Sequence, residues 1–173
     1  MPTDTVYGLV GSALSRKTVA RIYRARKRTP EKPFIVLIGS LGDLKLFKIK
    51  VDNFSKRALS GIWPGKVSVI LPCRAKNFSY LHRETKALAF RLPADVWLRN
   101  LLKRTGPLVA PSANPEGLVP AKNIKEAKKY FGKKVDFYMS GKKPDKLPST
   151  LIKIKNRDII IFRQGKVKIK EII

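Results

Sequence analysis

The chain is poor in the residues that carry most side-chain chemistry. One cysteine, Cys73, and one histidine, His82, stand in 173 residues. A lone cysteine forms no disulfide within the chain, and the two together cannot build a metal cluster. Cys73 follows an apolar run and reads as a small core residue. His82, among Tyr80, Arg83 and Glu84, reads as a surface residue of a polar loop. Long apolar runs are also missing. Phe34–Ile38 and Ile159–Phe162 fall far short of the roughly 20 residues that cross a bilayer. Nothing resembles a signal peptide, so a cytoplasmic protein without membrane contact is expected. The phosphate loop GxxxxGK[ST], the dinucleotide motif GxGxxG and the nucleophile elbow GxSxG are all absent.

Acidic residues are scarce as well: 12 Asp and Glu face 38 Lys and Arg, a formal net charge of +26. Such an excess attracts polyanions, whether nucleotides, RNA or acidic membranes. It is spread along the chain, so it points to an anionic ligand without naming one. Blocks such as Lys122–Lys134 and Lys142–Lys146 read as solvated helix faces and loops.

What is present is one domain's worth of alternating strand and helix signals over residues 1–173. Strands are expected at Val6–Val10, Phe34–Ile38, Val67–Leu71, Ala87–Phe90, Leu108–Ala110, Val135–Met139, Leu151–Ile154, Ile159–Phe162 and Val167–Ile169. Ser15 is placed to cap a helix reaching about Arg26, Asp52 a second and Asn123 a third. Pro93 opens a further helix that Gly106 stops. Phe54, Ala58 and Leu59 share one side of the second helix. Strands interleaved with helices early and clustered late give an α/β fold of the α+β type. Its expected form is a twisted, open mixed sheet with flanking helices.

Polar chemistry concentrates in four segments beside these strands. They are Pro2–Gly8, Arg26–Pro33, Pro111–Asn114 and Phe162–Gly165. They offer hydroxyls, an amide and guanidinium groups, and few groups able to attack or deprotonate. That inventory suits a site which aligns an anionic substrate and stabilises its charge, as transfer at phosphorus requires. Ser112 and Asn114 alternate, so both would face one pocket with Ala113 turned away. Each segment also has a purely structural reading. Thr3 and Thr5 suit a sheet edge, Arg26–Lys32 the negative end of a helix, and Ser112–Asn114 a turn.

Taken together in order, the motifs resemble the YrdC family. They run Pro2-Thr3-Asp4-Thr5-Val6-Tyr7-Gly8-Leu9, the basic segment ending Lys32-Pro33, Trp63-Pro64-Gly65-Lys66-Val67-Ser68, Ala89-Phe90-Arg91-Leu92-Pro93, Pro111-Ser112-Ala113-Asn114, Pro148-Ser149-Thr150 and Phe162-Arg163-Gln164-Gly165. Order and spacing cover nearly the whole chain. The resemblance implies a nucleotidyltransferase, a threonylcarbamoyl-AMP synthase. Its substrates would be L-threonine, bicarbonate and ATP with Mg2+, and its products threonylcarbamoyl-AMP and pyrophosphate. Other proteins would then transfer the threonylcarbamoyl group to position 37 of tRNA.

By motif position Thr5 resembles a threonine contact and Arg91 the guanidinium that holds the threonine carboxylate. Arg28, Lys32 and Arg163 resemble nucleotide contacts, and Ser112 and Asn114 match the family's Ser-x-Asn. The family's Lys-x-Arg has Arg26 at its lysine position and Arg28 retained, with Lys27 the alternative if a gap intervenes. Positioning would fall to Arg28, Ser112 and Asn114, with no nucleophile, general base or protein-held metal assigned. The family also carries a helix and a strand before its Pro-Thr motif. Here Met1 opens the chain, so either a strand is missing from the sheet or the start lies too far downstream. The intact motif favours the second. Two other readings stay open: a non-catalytic module binding tRNA or ribosomal RNA, and the carbamoyl-transfer role of YrdC modules inside hydrogenase-maturation proteins. Absent flanking domains argue against the latter.

Overall fold

The computed structural model describes residues 1–141, 145, 147–155 and 158–169. Among them, seven strands form one sheet in the order β1-β5-β2-β4-β3-β6-β7. The strands are β1 (Gly11–Ser12), β2 (Ile35–Leu37), β3 (Val67–Pro72), β4 (Ala87–Arg91), β5 (Leu108–Val109), β6 (Thr150–Lys155) and β7 (Asp158–Arg163). Pairs β2–β4 and β3–β6 are parallel and the other described pairs antiparallel, which is the mixed open sheet expected.

The helices begin where their caps lie. In α1 (Arg16–Arg26) the Ser15 hydroxyl accepts from Thr18 N, and in α2 (Asn53–Ile62) Asp52 accepts from Ser55 N. The short α3 spans Ser79–His82. α4 (Val96–Thr105) is capped by Asp95, so Pro93 precedes the helix instead of opening it; Gly106 ends it at φ 76°. α5 (Ile124–Phe131) is capped by Asn123, whose Oδ1 accepts from Glu126 N. Of the three residues expected on one side of α2, Ala58 and Leu59 are buried and Phe54 is 38% exposed.

Three expected strands do not form. Among the described residues Val6–Val10 makes only the isolated bridges Pro2↔Tyr7 and Gly8↔Ser112, and regular pairing starts after it, at Gly11. Thr3 explains it: its N–H and its hydroxyl both donate to Val6 O, closing a turn that folds the segment back on Met1. Val135–Met139 is irregular, with side chains from elsewhere holding its two ends. Arg21 holds Asp136 and the Lys134 carbonyl, and Tyr7 Oη donates to Met139 O. Among the described residues Val167–Ile169 has no ladder partner, and Thr150 and Gln164 side chains donate to Val167 O. Lys142, Lys143, Pro144 and Lys146 of the basic block lie outside the described residues.

The main core packs Val36, Val69, Phe90, Val109 and Ile152 of the sheet against Val19, Phe47 and Leu59. Burial of each such side chain stabilises the fold by roughly 1.5–3 kcal/mol. Cys73 belongs to this core, as expected. His82 does not lie at the surface: it is 3% exposed, because the single turn of α3 packs against α1 and β4 and carries the imidazole inward. Tyr7, Tyr23, Phe34 and Trp63 are buried too. No described helix is long and apolar enough to cross a membrane.

Candidate active site

The four polar segments meet at one cavity of about 200 Å³. Strand β4 delivers Arg91 at its end, and the antiparallel β7 delivers Arg163. The last residue of α1 contributes Arg26, and the irregular chain after it Arg28. Thr5 comes from the N-terminal turn, Ser112 from the stretch after β5, and Ser149 from the stretch before β6. Four guanidiniums therefore face one hollow, and among the described residues its lining contains no carboxylate.

Electrostatics record the crowding. Burial and the neighbouring Arg28 lower the Arg26 pKa to about 10. Burial also lowers Arg163, with Arg28 adding repulsion. Arg91 is lowered chiefly by its complete burial, while Asp4 opposes the shift. Each direction expresses the same fact: these cations are held where an anion would relieve them.

The guanidiniums are braced differently. Arg26 is almost wholly buried and donates from Nε to Asn114 O (2.7 Å) and from Nη2 to Asn114 Oδ1 (3.2 Å) and Ser112 Oγ (3.3 Å). Asn114 is in turn held by its own donations to Pro115 O and Leu118 O. Ser112 and Asn114 thus do not share the cavity wall. Ser112 lines it, Asn114 stands behind Arg26, and Ala113 packs into an apolar cluster with Tyr7 and Phe131. Arg28 sits over the Phe34 ring at 5.7 Å; that ring stacks on Tyr23 at 4.1 Å, and Arg83 covers the far face of Tyr23 at 4.0 Å. Arg163 Nη2 donates to Ser149 O at 3.0 Å.

Arg91 already has partners within the chain. Nη2 donates to Asp4 Oδ1 at 2.8 Å and Nη1 to Thr5 Oγ1 at 3.1 Å, in a pair less than 5% exposed on either side. Among the described residues Asp4 Oδ2 and Arg91 Nε lack hydrogen-bond partners. Lys32 lies outside the cavity wall, where Nζ meets Glu116 Oε1 at 2.9 Å. The site therefore assembles Thr5, Arg26, Arg28, Arg91, Ser112 and Arg163, with Asn114 behind and Lys32 at the rim.

Three participants were not assigned from sequence: Asp4, Ser149 and Glu116. Asp4 and Ser149 lie within the quoted motifs. Glu116 carried a weaker signal, being the lone acid between Asp95 and Glu126 in a strongly basic chain. Among the described residues no group of three His, Cys, Asp or Glu side chains is placed to hold a metal ion.

This gathering of motifs coincides with a family match. The family model Sua5_yciO_yrdC, described as "Telomere recombination", matches residues 1–165, and the chain belongs to that family. Among its relatives is the threonylcarbamoyl-AMP synthase of Cellvibrio japonicus, 29% identical over 141 residues, covering 81% of this chain and 75% of that protein. The putative threonylcarbamoyl-AMP synthase of Methanocaldococcus jannaschii is 28% identical over 98% of this chain and 80% of its own length. The crystal structure of Pyrococcus abyssi Sua5 complexed with L-threonine superposes with a TM-score of 0.82 at 26% identity. It covers 95% of this chain, which spans only 49% of that longer one.

Proposed function

We propose that the chain is a threonylcarbamoyl-AMP synthase, supplying the activated intermediate for N6-threonylcarbamoyladenosine at tRNA position 37. The observation that carries this reading is the convergence of four guanidiniums on a cavity with no carboxylate among the described residues of its lining. Such a wall binds and neutralises several anionic groups at once, and it offers no side-chain nucleophile beyond hydroxyls.

The chemistry supplies its own nucleophile. The threonine nitrogen takes up carbon dioxide from bicarbonate, releasing water and forming a carbamate. A carbamate oxygen then attacks the α-phosphorus of ATP, the bond to the β-phosphate oxygen breaks, and pyrophosphate leaves. With no carboxylate among the described residues of the wall, a Mg2+ ion brought with the nucleotide would be held by the phosphates and would supply charge neutralisation there, beside Arg26, Arg28 and Arg163. Thr5 and Arg91 receive the threonine carboxylate, which takes over the Nη1 donor now engaged by the Thr5 hydroxyl. Arg26, Arg28 and Arg163 stabilise charge on the phosphates, Ser112 donates to a phosphate oxygen, Asn114 holds Arg26 in place, and Lys32 serves the outer phosphates. At about 200 Å³ the cavity is smaller than the ~300–1,000 Å³ usual for small-molecule sites, so it takes the reacting groups while the nucleoside extends past its mouth. Downstream transfer proteins consume the product.

The test is pyrophosphate release with ATP, L-threonine, bicarbonate and Mg2+. Release that depends on threonine is expected, and its absence from the folded protein refutes the reading. A second reading, an RNA-binding module without catalysis, draws on the +26 charge. It predicts salt-sensitive tRNA binding with no threonine-dependent release.

A further inference from the structure

Glu116 is the acid around which the basic segment after α1 is arranged. Its Oε2 accepts from the Thr29 backbone N–H at 2.6 Å and from Thr29 Oγ1 at 2.7 Å. Its Oε1 accepts from Lys32 Nζ at 2.9 Å and lies 3.6 Å from Arg28 Nη1. Its backbone N–H donates to Arg26 O at 2.8 Å. A backbone amide, a hydroxyl, an ammonium and a guanidinium thus converge on one pair of oxygens. That donor set is what a phosphate group recruits. The carboxylate fills it from within the chain. Its pKa is depressed to about 2, first by the Thr29 N–H.

We propose that Glu116 is an internal anion occupying a phosphate subsite at the cavity rim, and that a polyphosphate ligand displaces it from Lys32 and Arg28. The proposal rests on the nucleotide reading of the site and adds a specificity-determining residue to it. Arg28 belongs at once to the cavity wall and to the Glu116 cluster, so a phosphate chain running out of the cavity reaches the cluster next. Lys32 is more than half exposed, so it can move from carboxylate to ligand without crossing the core. Thr29 can keep one acceptor throughout. The exchange charges a toll on ligands that reach the rim and none on ligands that stop short of it. Glu116 therefore lowers affinity for polyphosphates selectively.

The experiment measures binding of ATP, inorganic tripolyphosphate, AMP and adenosine by calorimetry, in the full chain and in Glu116→Gln. Glutamine retains an acceptor for Thr29 and removes the charge. ATP and tripolyphosphate are expected to bind roughly tenfold tighter to the variant, from release of one charge-assisted contact. Adenosine affinity should not change. The gain must disappear in Glu116→Gln/Lys32→Gln. Equal or weaker polyphosphate binding, an equal gain for adenosine, a gain that survives loss of Lys32, or no binding by either chain overturns the proposal. A second measurement needs no variant: the Glu116 carboxyl 13C resonance must shift when tripolyphosphate is added to the unaltered protein. A resonance that stays still overturns the proposal even if ATP turnover is intact, whereas lost threonine-dependent turnover with a moving resonance refutes the catalytic reading alone.

Discussion

Replacing Asp4 with asparagine isolates the worth of one charge in the wall of the site. The amide has the shape of the carboxylate and keeps an oxygen for Arg91 Nη2, so packing survives. What goes is the negative charge that opposes the burial-driven lowering of the Arg91 pKa. Both side chains are less than 5% exposed, so water cannot step in. Breaking a buried ion pair from one side costs about 3–5 kcal/mol. For a domain of this size each kcal/mol moves the thermal midpoint by roughly 2–4 °C, so Asp4→Asn should melt about 6–20 °C lower. Urea titration should show the midpoint falling with an unchanged slope. Asp4→Asn/Arg91→Met should recover part of the loss, because no unpaired cation remains. A drop below roughly 2 °C in the single variant would refute the claim that Asp4 compensates Arg91.

Arg26→Ala removes the fork onto Ser112 and Asn114, and threonine-dependent pyrophosphate release should fall about 10- to 100-fold, one charge-assisted contact's worth. Arg26→Lys should recover only part of that, since an ammonium cannot reproduce the fork. Gly165→Ala places a methyl 2.4 Å from both the Pro148 carbonyl oxygen and the Ser149 carbonyl carbon, which are backbone and cannot yield cheaply. A loss of about 1–3 kcal/mol in denaturant unfolding is expected, together with a raised KM for ATP as Arg163 and Ser149 part. The Glu116 carboxyl falls from its ordinary 4.5 to about 2 in the folded protein. Its stabilisation is therefore complete above pH 4.5 and lost as the pH falls toward 2. The stability difference between the wild-type chain and Glu116→Gln should close across that window, as read by denaturation at stepped pH.

Sequence reading and structure agree where local rules govern. Caps at Ser15, Asp52 and Asn123 are written in single residues, and the strand ending in Arg91 follows from its apolar run. Disagreement arises where a distant partner decides. Nothing near Val135–Met139 announces that Arg21 and Tyr7 will take the Asp136 carboxylate, the Met139 carbonyl and the preceding Lys134 carbonyl. His82 becomes buried because of what α3 packs against, while its neighbours in sequence are polar. The guanidiniums were assigned through motif order; their bracing was not. That Asn114 stands behind Arg26, and that Arg91 is already paired with Asp4, depends on contacts spanning more than 80 residues.

The sheet order has a consequence for how the site comes into being. Thr5 lies near one end of the chain and Arg163 near the other, and the strands between them are threaded so that β1 and β7 finish at opposite edges. No contiguous fragment shorter than residues 5–163 contains the whole described cavity wall. A partly opened molecule that has shed β6 and β7 keeps much of its sheet but loses Ser149 and Arg163 together, and with them a side of the hollow. Ligand binding must then resist unfolding as a whole instead of local fraying, so bound nucleotide should slow amide exchange in β4 and β6 alike.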